Sequence, residues 1–218
     1  MDESSLSNLI LIPTAVERET IESRLQLDGS GWTIQTIGFG VIAAGIETAR
    51  VLDRFSPSQV ILAGIAGLFS QHRSGRFKLG DASWFDSVAV EGIGIGQGDA
   101  HIDAGDLGWN WTRQLSAGGD LKCQLPAGEQ PARLLTVCAG SACGRDAERR
   151  SRRFPDAVGE DMEAFAVAYA CRSAGVPLSV VRGFSNLVGQ RERSQWRVTD
   201  ALRSVTGELE RMMDERPG

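Results

Sequence analysis

Two pairs of residues, Met162-Glu163 and Ser185-Asn186, are of the types that bind a small polar molecule. Glu163 is followed by the small and apolar run AFAVAYA, which is typical of a buried helix, and Ser185-Asn186 follow an apolar run that is typical of a buried strand. A carboxylate at the mouth of a buried helix loses its hydration unless it receives hydrogen bonds. The two neighbouring hydroxyls of a ribose would supply two donors to Glu163. This part of the chain therefore predicts a small-molecule site.

Other carboxylates have simpler explanations. Glu160 and Asp161 precede the same helix, where acidic residues complement the positive end of the helix dipole. Near the N-terminus, Glu17, Glu19 and Glu22 follow the first apolar run. One of these three can face a cleft from the first helix while the others are solvated, and their spacing alone does not choose among them.

Apolar runs alternate with helical patterns along the chain. The predicted strands are residues 9–12, 32–37, 59–63, 82–90, 134–138 and 178–181. The predicted helices are residues 15–25, 41–55, 162–174 and an amphipathic C-terminal segment that carries Val198, Leu202, Val205, Leu209 and Met212. Strands that alternate with helices predict an α/β fold, here a three-layer α/β/α domain around a central mixed, mostly parallel sheet. Residues 92–130 are rich in glycine, and we expect loops, a helix around 109–115 and an oligomer contact there.

Two glycine-containing segments are candidates for ligand-binding sites. Gly38-Phe39-Gly40 opens a helix, but the next glycine is Gly45, so the spacing is not that of a dinucleotide site. The run GIAG at 64–67 lies beyond a strand that is apolar on both faces, as in a central parallel strand. Ligands of open α/β sheets bind at such strand ends, where small residues let backbone amides approach them. A tight strand-to-helix turn is the alternative explanation.

The composition of the 218-residue chain excludes several classes of function. A net charge of −5 and a pI near 5.2 do not indicate the basic surface that nucleic-acid binding needs. The arginine cluster at 145–153 is interpreted as a solvated helix face. No apolar run is long enough to span a membrane and no basic leader precedes the first one, so we expect a single domain over 1–218 in the cytoplasm. The four cysteines lack paired spacing and only two histidines accompany them, so no metal site is expected.

Several motifs together resemble one family. These are VRGFSN at 181–186, the ME pair that opens the helix at 162, the GIAG run and the segment AVERE at 15–19. With them, the chain is similar to the nucleoside phosphorylase and nucleosidase superfamily over most of its length. The resemblance implies a purine nucleoside as the small-molecule substrate, no cofactor, and a homo-oligomer.

The resemblance also implies a role for each matching position. Glu19 matches the acid that positions and activates water against the anomeric carbon, with Glu17 as the alternative if the register differs. Met162 packs under the sugar, and Glu163 binds its 2′- and 3′-hydroxyls. The base site is expected to be lined by Gly67 and by the backbone around Ser141 and Ala142.

Asn186 falls where adenine-releasing nucleosidases carry an aspartate that protonates N7 of the leaving base. An asparagine is no general acid at neutral pH, but its amide can donate to an O6 carbonyl while its oxygen accepts from a protonated N7. Adenine would present an amino group to that amide, a mismatch of about 1–3 kcal/mol in a dry site. Asn186, with Ser185, therefore favours release of hypoxanthine. An asparagine that only caps a turn is the alternative.

Water is the expected nucleophile. No arginine stands shortly before the GIAG run and no Gly-Asp-Pro-like loop follows the first strand, although Arg18 or Arg182 could still bind phosphate for phosphorolysis. A methylthioadenosine nucleosidase is a further alternative, and a nucleoside-binding protein without turnover is the alternative from another class.

Overall fold

A mixed sheet with helices on both faces forms the centre of the computed structural model, which describes residues 8–73, 75–109 and 119–214. The helices are α1 Ala15–Glu22, α2 Gly40–Phe55, α3 Gly144–Arg153, α4 Ala164–Ala174 and α5 Val198–Asp214. The strands are β1 Asn8–Ile12, β2 Trp32–Thr36, β3 Val60–Leu68, β4 Ala82–Phe85, β5 Ser87–Glu91, β6 Gly94–Ile95, β7 Ile102–Asp103, β8 Leu121–Lys122, β9 Arg133–Val137, β10 Ala157–Asp161 and β11 Leu178–Leu187. Short 3₁₀ helices span Ser70–His72, Gly98–Ala100 and Arg193–Gln195.

The main sheet runs in the order β2-β1-β3-β10-β9-β5-β8, and β11 pairs with both β3 and β4. Parallel pairs join β1 to β2 and β3, β11 to β3, and β9 to β10 and β5. Antiparallel pairs join β10 to β3, β11 to β4 and β5 to β8. The predicted mixed, mostly parallel sheet is therefore confirmed.

Alternating side chains divide the core into two layers. Leu9 and Leu11 of β1 pack in one cluster with residues of α2 and α4, whereas Ile10 and Ile12 pack in another with residues of α1 and α5. Successive side chains of a strand point to opposite faces, so a strand that is apolar at every position must be covered on both sides. This requirement produces the predicted three-layer α/β/α arrangement.

The GIAG run is part of a strand rather than a turn. β3 continues through residues 64–67 to Leu68, because β11 pairs with it along this whole stretch and β10 pairs with its end. The predicted strand at 178–181 likewise extends to Leu187. Both corrections have one cause, since each strand supplies the other with hydrogen-bond partners that neither sequence reveals alone.

Further differences concern shorter elements. The predicted strand at 82–90 is divided into β4 and β5 at Asp86, and β10, which ends in the buried acids Glu160 and Asp161, was not predicted. Gly94 lies in β6, which pairs with β7 in a small second sheet. The predicted helix at 109–115 lies outside the described residues except for Trp109.

No helix within 8–73, 75–109 and 119–214 has the length and apolar content needed to cross a membrane. The single-domain organisation and the cytoplasmic location stay predictions.

Candidate active site

A cavity of about 250 Å³ opens where β3, β10 and β11 end. It collects the predicted site residues Gly67, Ser141, Met162, Glu163, Ser185 and Asn186. It also contains four buried carboxylates, Glu17, Glu160, Asp161 and Glu163. The two pairs of residues that the sequence singled out thus share one concave and acidic site.

Two predicted residues lie elsewhere. Glu19 is exposed on α1 and does not line the cavity, whereas Glu17 is buried and does. Two residues correspond to a rotation of about 200° around a helix, so the two carboxylates point in opposite directions. Ala142 is also exposed, and its amide donates a 3.0 Å hydrogen bond to Asp146 Oδ2 instead of facing the cavity.

Glu17 is held by a capping box at the start of α1. Its carboxylate accepts hydrogen bonds from Thr14 N at 3.1 Å and Thr14 Oγ1 at 2.6 Å, while its own amide donates to Thr14 Oγ1 at 3.3 Å. The other carboxylate oxygen accepts from the amide of Ile65 in β3 at 3.0 Å. The sequence contains this signal as T-x-x-E at 14–17, which directs the glutamate back toward the helix N-terminus.

Glu163 lies directly before α4 and lines the cavity. Its Oε1 accepts a hydrogen bond from the Gly40 amide at 3.0 Å, and its Oε2 lies 3.3 Å from Arg182 Nη2. Burial raises the pKa of Glu163 to about 7, Arg182 opposes this rise, and Asp161 adds to it. Glycines 38 and 40, at φ +85° and +83°, thus serve to bring a backbone donor to this carboxylate.

Arg182 lies fully buried among the carboxylates. Its Nη2 donates to Asp161 Oδ2 at 2.6 Å. Within the described residues its Nε and Nη1 have no hydrogen-bond partner. Burial alone would lower the pKa of Arg182, but the neighbouring Asp161, Glu163 and Glu17 raise it above its usual value. The guanidinium therefore stays charged beneath the cavity.

Gly64 separates Arg182 from Glu17. A Cβ atom at this position would lie 2.4 Å from Arg182 Nη1 and 2.8 Å from Glu17 Oε1. A side chain at position 64 would therefore collide with both groups, so a glycine is required between them.

Ser185 is the extra residue of a bulge in β11 between Phe184 and Asn186, and Asn186 follows it. Ser185 Oγ donates to Asn186 Oδ1 at 2.9 Å, and Asn186 Nδ2 donates to the carbonyl oxygen of Leu187 at 2.8 Å. An amide has two N–H donors and two lone pairs, so Asn186 retains one donor and one acceptor for a ligand. The asparagine is thus fixed by its neighbours and keeps one donor and one acceptor on the cavity lining.

The arginine cluster at 145–153 is not only a solvated face, because Arg150 is buried. Its Nη1 donates to Glu160 Oε2 at 2.9 Å and to Ser141 Oγ at 2.8 Å, and its Nε donates to Glu91 at 2.5 Å. Glu160 in turn accepts from the amide and hydroxyl of Ser141, each at 2.7 Å. The Ser141 amide therefore already has a hydrogen-bond partner within the protein. The network of Arg150, Glu160 and Ser141 fixes the loop that lines the cavity.

No group of three His, Cys, Asp or Glu side chains in the described part of the chain is arranged to hold a metal ion.

A three-layer α/β fold with an acidic cleft at its strand ends defines an enzyme-like site for a small polar ligand. Residues 8–215 match the family model described as Phosphorylase superfamily. The chain belongs to the phosphorylase superfamily, which confirms the superfamily inferred from the sequence motifs.

Relatives in this superfamily carry two different names. A futalosine hydrolase of Streptomyces coelicolor is 30% identical over 182 residues, 81% of this chain and 76% of that protein. A 5′-methylthioadenosine/S-adenosylhomocysteine nucleosidase of Aeromonas salmonicida is 27% identical over 187 residues, 84% of this chain and 79% of that protein. The solved structure of such a nucleosidase from Colwellia psychrerythraea, in complex with adenine, covers 96% of this chain and 95% of its own at 21% identity and a TM-score of 0.73. That structure shares the fold.

Proposed function

We propose that this chain is a nucleosidase that hydrolyses the N-glycosidic bond of a 6-oxopurine nucleoside. The proposed substrate is futalosine, cleaved to hypoxanthine and dehypoxanthine futalosine in menaquinone biosynthesis. The observation that carries the proposal is the meeting of Glu17, Glu163 and Asn186 in one cavity. The similarity to futalosine hydrolase supports it, while the similarity to the methylthioadenosine nucleosidase leaves the base to be decided by the site.

The ribose is held by Glu163. Its buried carboxylate receives one amide hydrogen bond and one contact with Arg182, which leaves lone pairs for the 2′- and 3′-hydroxyls. Met162 lies beside it in the cavity and packs under the sugar ring. This contact orients the anomeric carbon toward β3, where Glu17 is fixed.

The nucleophile is a water molecule in the cavity that hydrogen-bonds to the Glu17 carboxylate. Glu17 accepts a proton from the water as the glycosidic bond breaks, so we propose it in place of Glu19 as the water-activating acid. The carboxylates of Glu17, Asp161 and Glu163 outnumber the single guanidinium of Arg182, and their field stabilises the positive charge that develops on the sugar. No step of this reaction needs a cofactor.

Asn186 holds the departing base. Its remaining N–H donates to O6, and its remaining lone pair accepts from N7 once solvent water has protonated the departing base there. Ser185 fixes the amide by its hydrogen bond at 2.9 Å. Adenine would bring an amino group against the amide donor, so the site favours hypoxanthine.

Phosphorolysis is the second candidate, and the charges argue against it. Arg18 forms an ion pair with Glu22 at 2.8 Å, and Arg182 forms one with Asp161 at 2.6 Å. Both candidate phosphate ligands are thus already neutralised by carboxylates. A phosphate-dependent rate with ribose-1-phosphate as product would reverse this choice.

One experiment tests reaction and base together. Purified protein is incubated with futalosine, inosine and methylthioadenosine, with and without phosphate, and free base is measured by chromatography. The proposal expects hypoxanthine from futalosine at a rate independent of phosphate. Adenine as the main product would favour the methylthioadenosine nucleosidase, and no free base from any nucleoside would favour a protein that only binds nucleosides.

We also propose that two copies associate through the face formed by α2 and α4. An apolar depression of about 720 Å³ lies there between Val41, Phe165 and Tyr169. Ile42 and Ile46 of α2 are 75% and 52% exposed in the isolated chain. Contiguous apolar surface of this kind marks an association site. Sedimentation of wild type and Ile46→Glu tests this: an oligomer that the variant converts to monomer is expected, and a monomeric wild type would disprove it.

A further inference from the structure

Asp161 is a buried carboxylate that lies beneath the residues proposed to contact the ligand. Its side chain has 0% exposed surface, whereas that of Glu163 is 6% exposed. Its Oδ1 accepts a hydrogen bond from Thr136 Oγ1 at 2.6 Å, and its Oδ2 accepts one from the Ala164 amide at 2.9 Å. Asp161 is thus fixed in place, and it can influence a ligand only through another residue.

Arg182 is the residue that connects Asp161 to the ligand site. One guanidinium nitrogen of Arg182, Nη2, lies 2.6 Å from Asp161 Oδ2 and 3.3 Å from Glu163 Oε2. Hydrogen bonds between a charged nitrogen and a carboxylate oxygen are commonly about 2.7–2.9 Å long. The contact with Asp161 is therefore a strong bond, and the contact with Glu163 is a long and weak one.

This unequal sharing of Arg182 matters for the binding of ribose. A carboxylate that takes a short hydrogen bond from a guanidinium has fewer lone pairs left for ligand hydroxyls. Glu163 Oε1 already accepts from the Gly40 amide, so a free Oε2 decides how well Glu163 can bind two hydroxyls. We propose that Asp161 is a positioning residue, which draws the Arg182 guanidinium away from Glu163 and keeps the Glu163 carboxylate available to the ribose. This inference rests on the proposed function for the placement of the ribose.

The same arrangement makes the pH dependence of the site a readout of Asp161. Burial is the main cause of the raised pKa of Glu163, which is about 7. Arg182 of β11 lowers this pKa, whereas Asp161 of β10 and Glu17 of α1 raise it. Cys123, whose thiol is also near Asp161, stays neutral because burial raises its pKa to about 12. Loss of the Asp161 charge should therefore lower the pKa of Glu163, both by removing a like charge and by letting Arg182 move closer.

Asp161→Asn tests this role, because it removes the charge and keeps the size of the side chain. The asparagine oxygen can still accept from the Ala164 amide, and its NH₂ group can donate to the Thr136 hydroxyl, so the fold should be retained. KM for futalosine at pH 8 should rise about five- to tenfold, as expected for the loss of one hydrogen bond. The pH below which kcat/KM declines should at the same time fall by about one unit.

Asp120→Asn is the matched control. Asp120 also pairs with an arginine, Arg133, at 2.7 Å, but it does not line the cavity. Its KM and its pH profile should equal those of wild type. A purely structural role of Asp161 would weaken activity in Asp161→Asn without moving the pH profile, and that result would overturn the inference.

Carbon-13 NMR of the carboxyl groups separates this inference from the proposed reaction. If no nucleoside is cleaved, the proposed function fails, and the titration of Glu163 in wild type and Asp161→Asn still decides the role of Asp161. A Glu163 transition at lower pH in Asp161→Asn supports the inference, and the same transition in both proteins overturns it. The Glu163→Gln variant assigns the Glu163 signal.

The same NMR measurement decides the matter if Asp161→Asn does not fold. In wild type, the signal of the Asp161 carboxyl should then stay constant from pH 5 to pH 8 while that of Glu163 moves. An Asp161 carboxyl that takes up a proton in this range would release Arg182 just where Glu163 titrates, and this result would overturn the inference.

Discussion

Arg150 and Glu160 form a buried ion pair at 2.9 Å that holds the loop at Gly140 and Ser141, which lines the cavity. Both residues also bind Ser141, so helix α3, strand β10 and the loop are joined at one point. Replacing one partner of such a pair leaves the other charge buried without compensation. We therefore expect Arg150→Met to lower the free energy of unfolding by about 3–5 kcal/mol.

Urea denaturation measures this loss, and Arg145→Met serves as its control because Arg145 is an exposed arginine of the same helix. The control should change stability by less than about 0.5 kcal/mol. In the double variant Arg150→Met/Glu160→Gln the loss should be smaller than in Arg150→Met alone, since Glu160 no longer leaves a charge behind. Equal stability of Arg150→Met and wild type would show that the ion pair contributes nothing.

Glu17→Gln should abolish most of the base release, because glutamine cannot accept the proton of the attacking water. The expected decrease in kcat is about 10²- to 10⁴-fold. Glutamine can keep the capping box with Thr14, so α1 should remain intact, which circular dichroism verifies. Glu19→Gln is the matched control two residues along the same helix, and its kcat should equal that of wild type. The assignment to Glu17 is wrong if the two variants exchange these results.

Asn186→Asp should change the preferred base. A carboxyl group in this position can protonate N7 and accept from the amino group of adenine, whereas it loses the donor to O6 of hypoxanthine. The ratio of kcat/KM for methylthioadenosine to that for futalosine should rise by about 5- to 150-fold, which corresponds to about 1–3 kcal/mol. Competition assays with both nucleosides in one vessel give this ratio directly. An unchanged ratio would mean that Asn186 only supports the bulge of β11.

Glu163 should make the reaction sensitive to pH near neutrality. Its pKa is raised to about 7, and the proposed contact with the ribose hydroxyls needs its ionised form. Values of kcat/KM should therefore fall tenfold per pH unit once the pH drops well below about 7. A rate that stays flat from pH 8 to pH 5 would contradict this role.

Glu163 should also make the stability of the fold depend on pH, in the direction opposite to its effect on activity. Because the pKa of Glu163 is higher in the folded chain than its ordinary value of 4.5, the folded chain binds more protons between these two values. Stability contributed by this group is thus highest at low pH and falls as the pH rises toward about 7. Glu163→Gln removes the titrating group. The free energy of unfolding of this variant, relative to that of wild type, should therefore be higher at pH 8 than at pH 5. Denaturation of both proteins at the two pH values measures the shift.

Local patterns were sufficient for the layers of the fold. The unbroken apolar run from Leu9 to Ile12 in β1 indicates cover on both faces, and the spacing of Val205 and Leu209 in α5 indicates one buried stripe. The extent of β3 could not be predicted in this way, because the pairing of residues 64–67 with β11 joins segments far apart in the chain. Small and apolar residues are equally compatible with a turn and with a central strand.

The residues of the site also fall into two groups, those that local sequence patterns predict and those that they do not. Glu163 and Asn186 could be predicted because each stands beside a long apolar segment. Glu17 could have been preferred to Glu19 from the capping box at 14–17, a local signal that the carboxylate spacing obscured. Arg150 could not be found in the sequence, because its partners Glu91 and Glu160 come from other strands and nothing near Arg150 distinguishes it from the exposed arginines around it.

Gly64 limits how this protein can vary. Its φ of +158° lies where side chains are rarely accepted, and a methyl group there would stand between Glu17 and Arg182. Even a substitution that the backbone accommodated would displace the Glu17 carboxylate or the Arg182 guanidinium, and so would disturb the group proposed to activate water. A stable protein with Gly64→Ala that still binds nucleoside would accordingly separate binding from cleavage in a single chain.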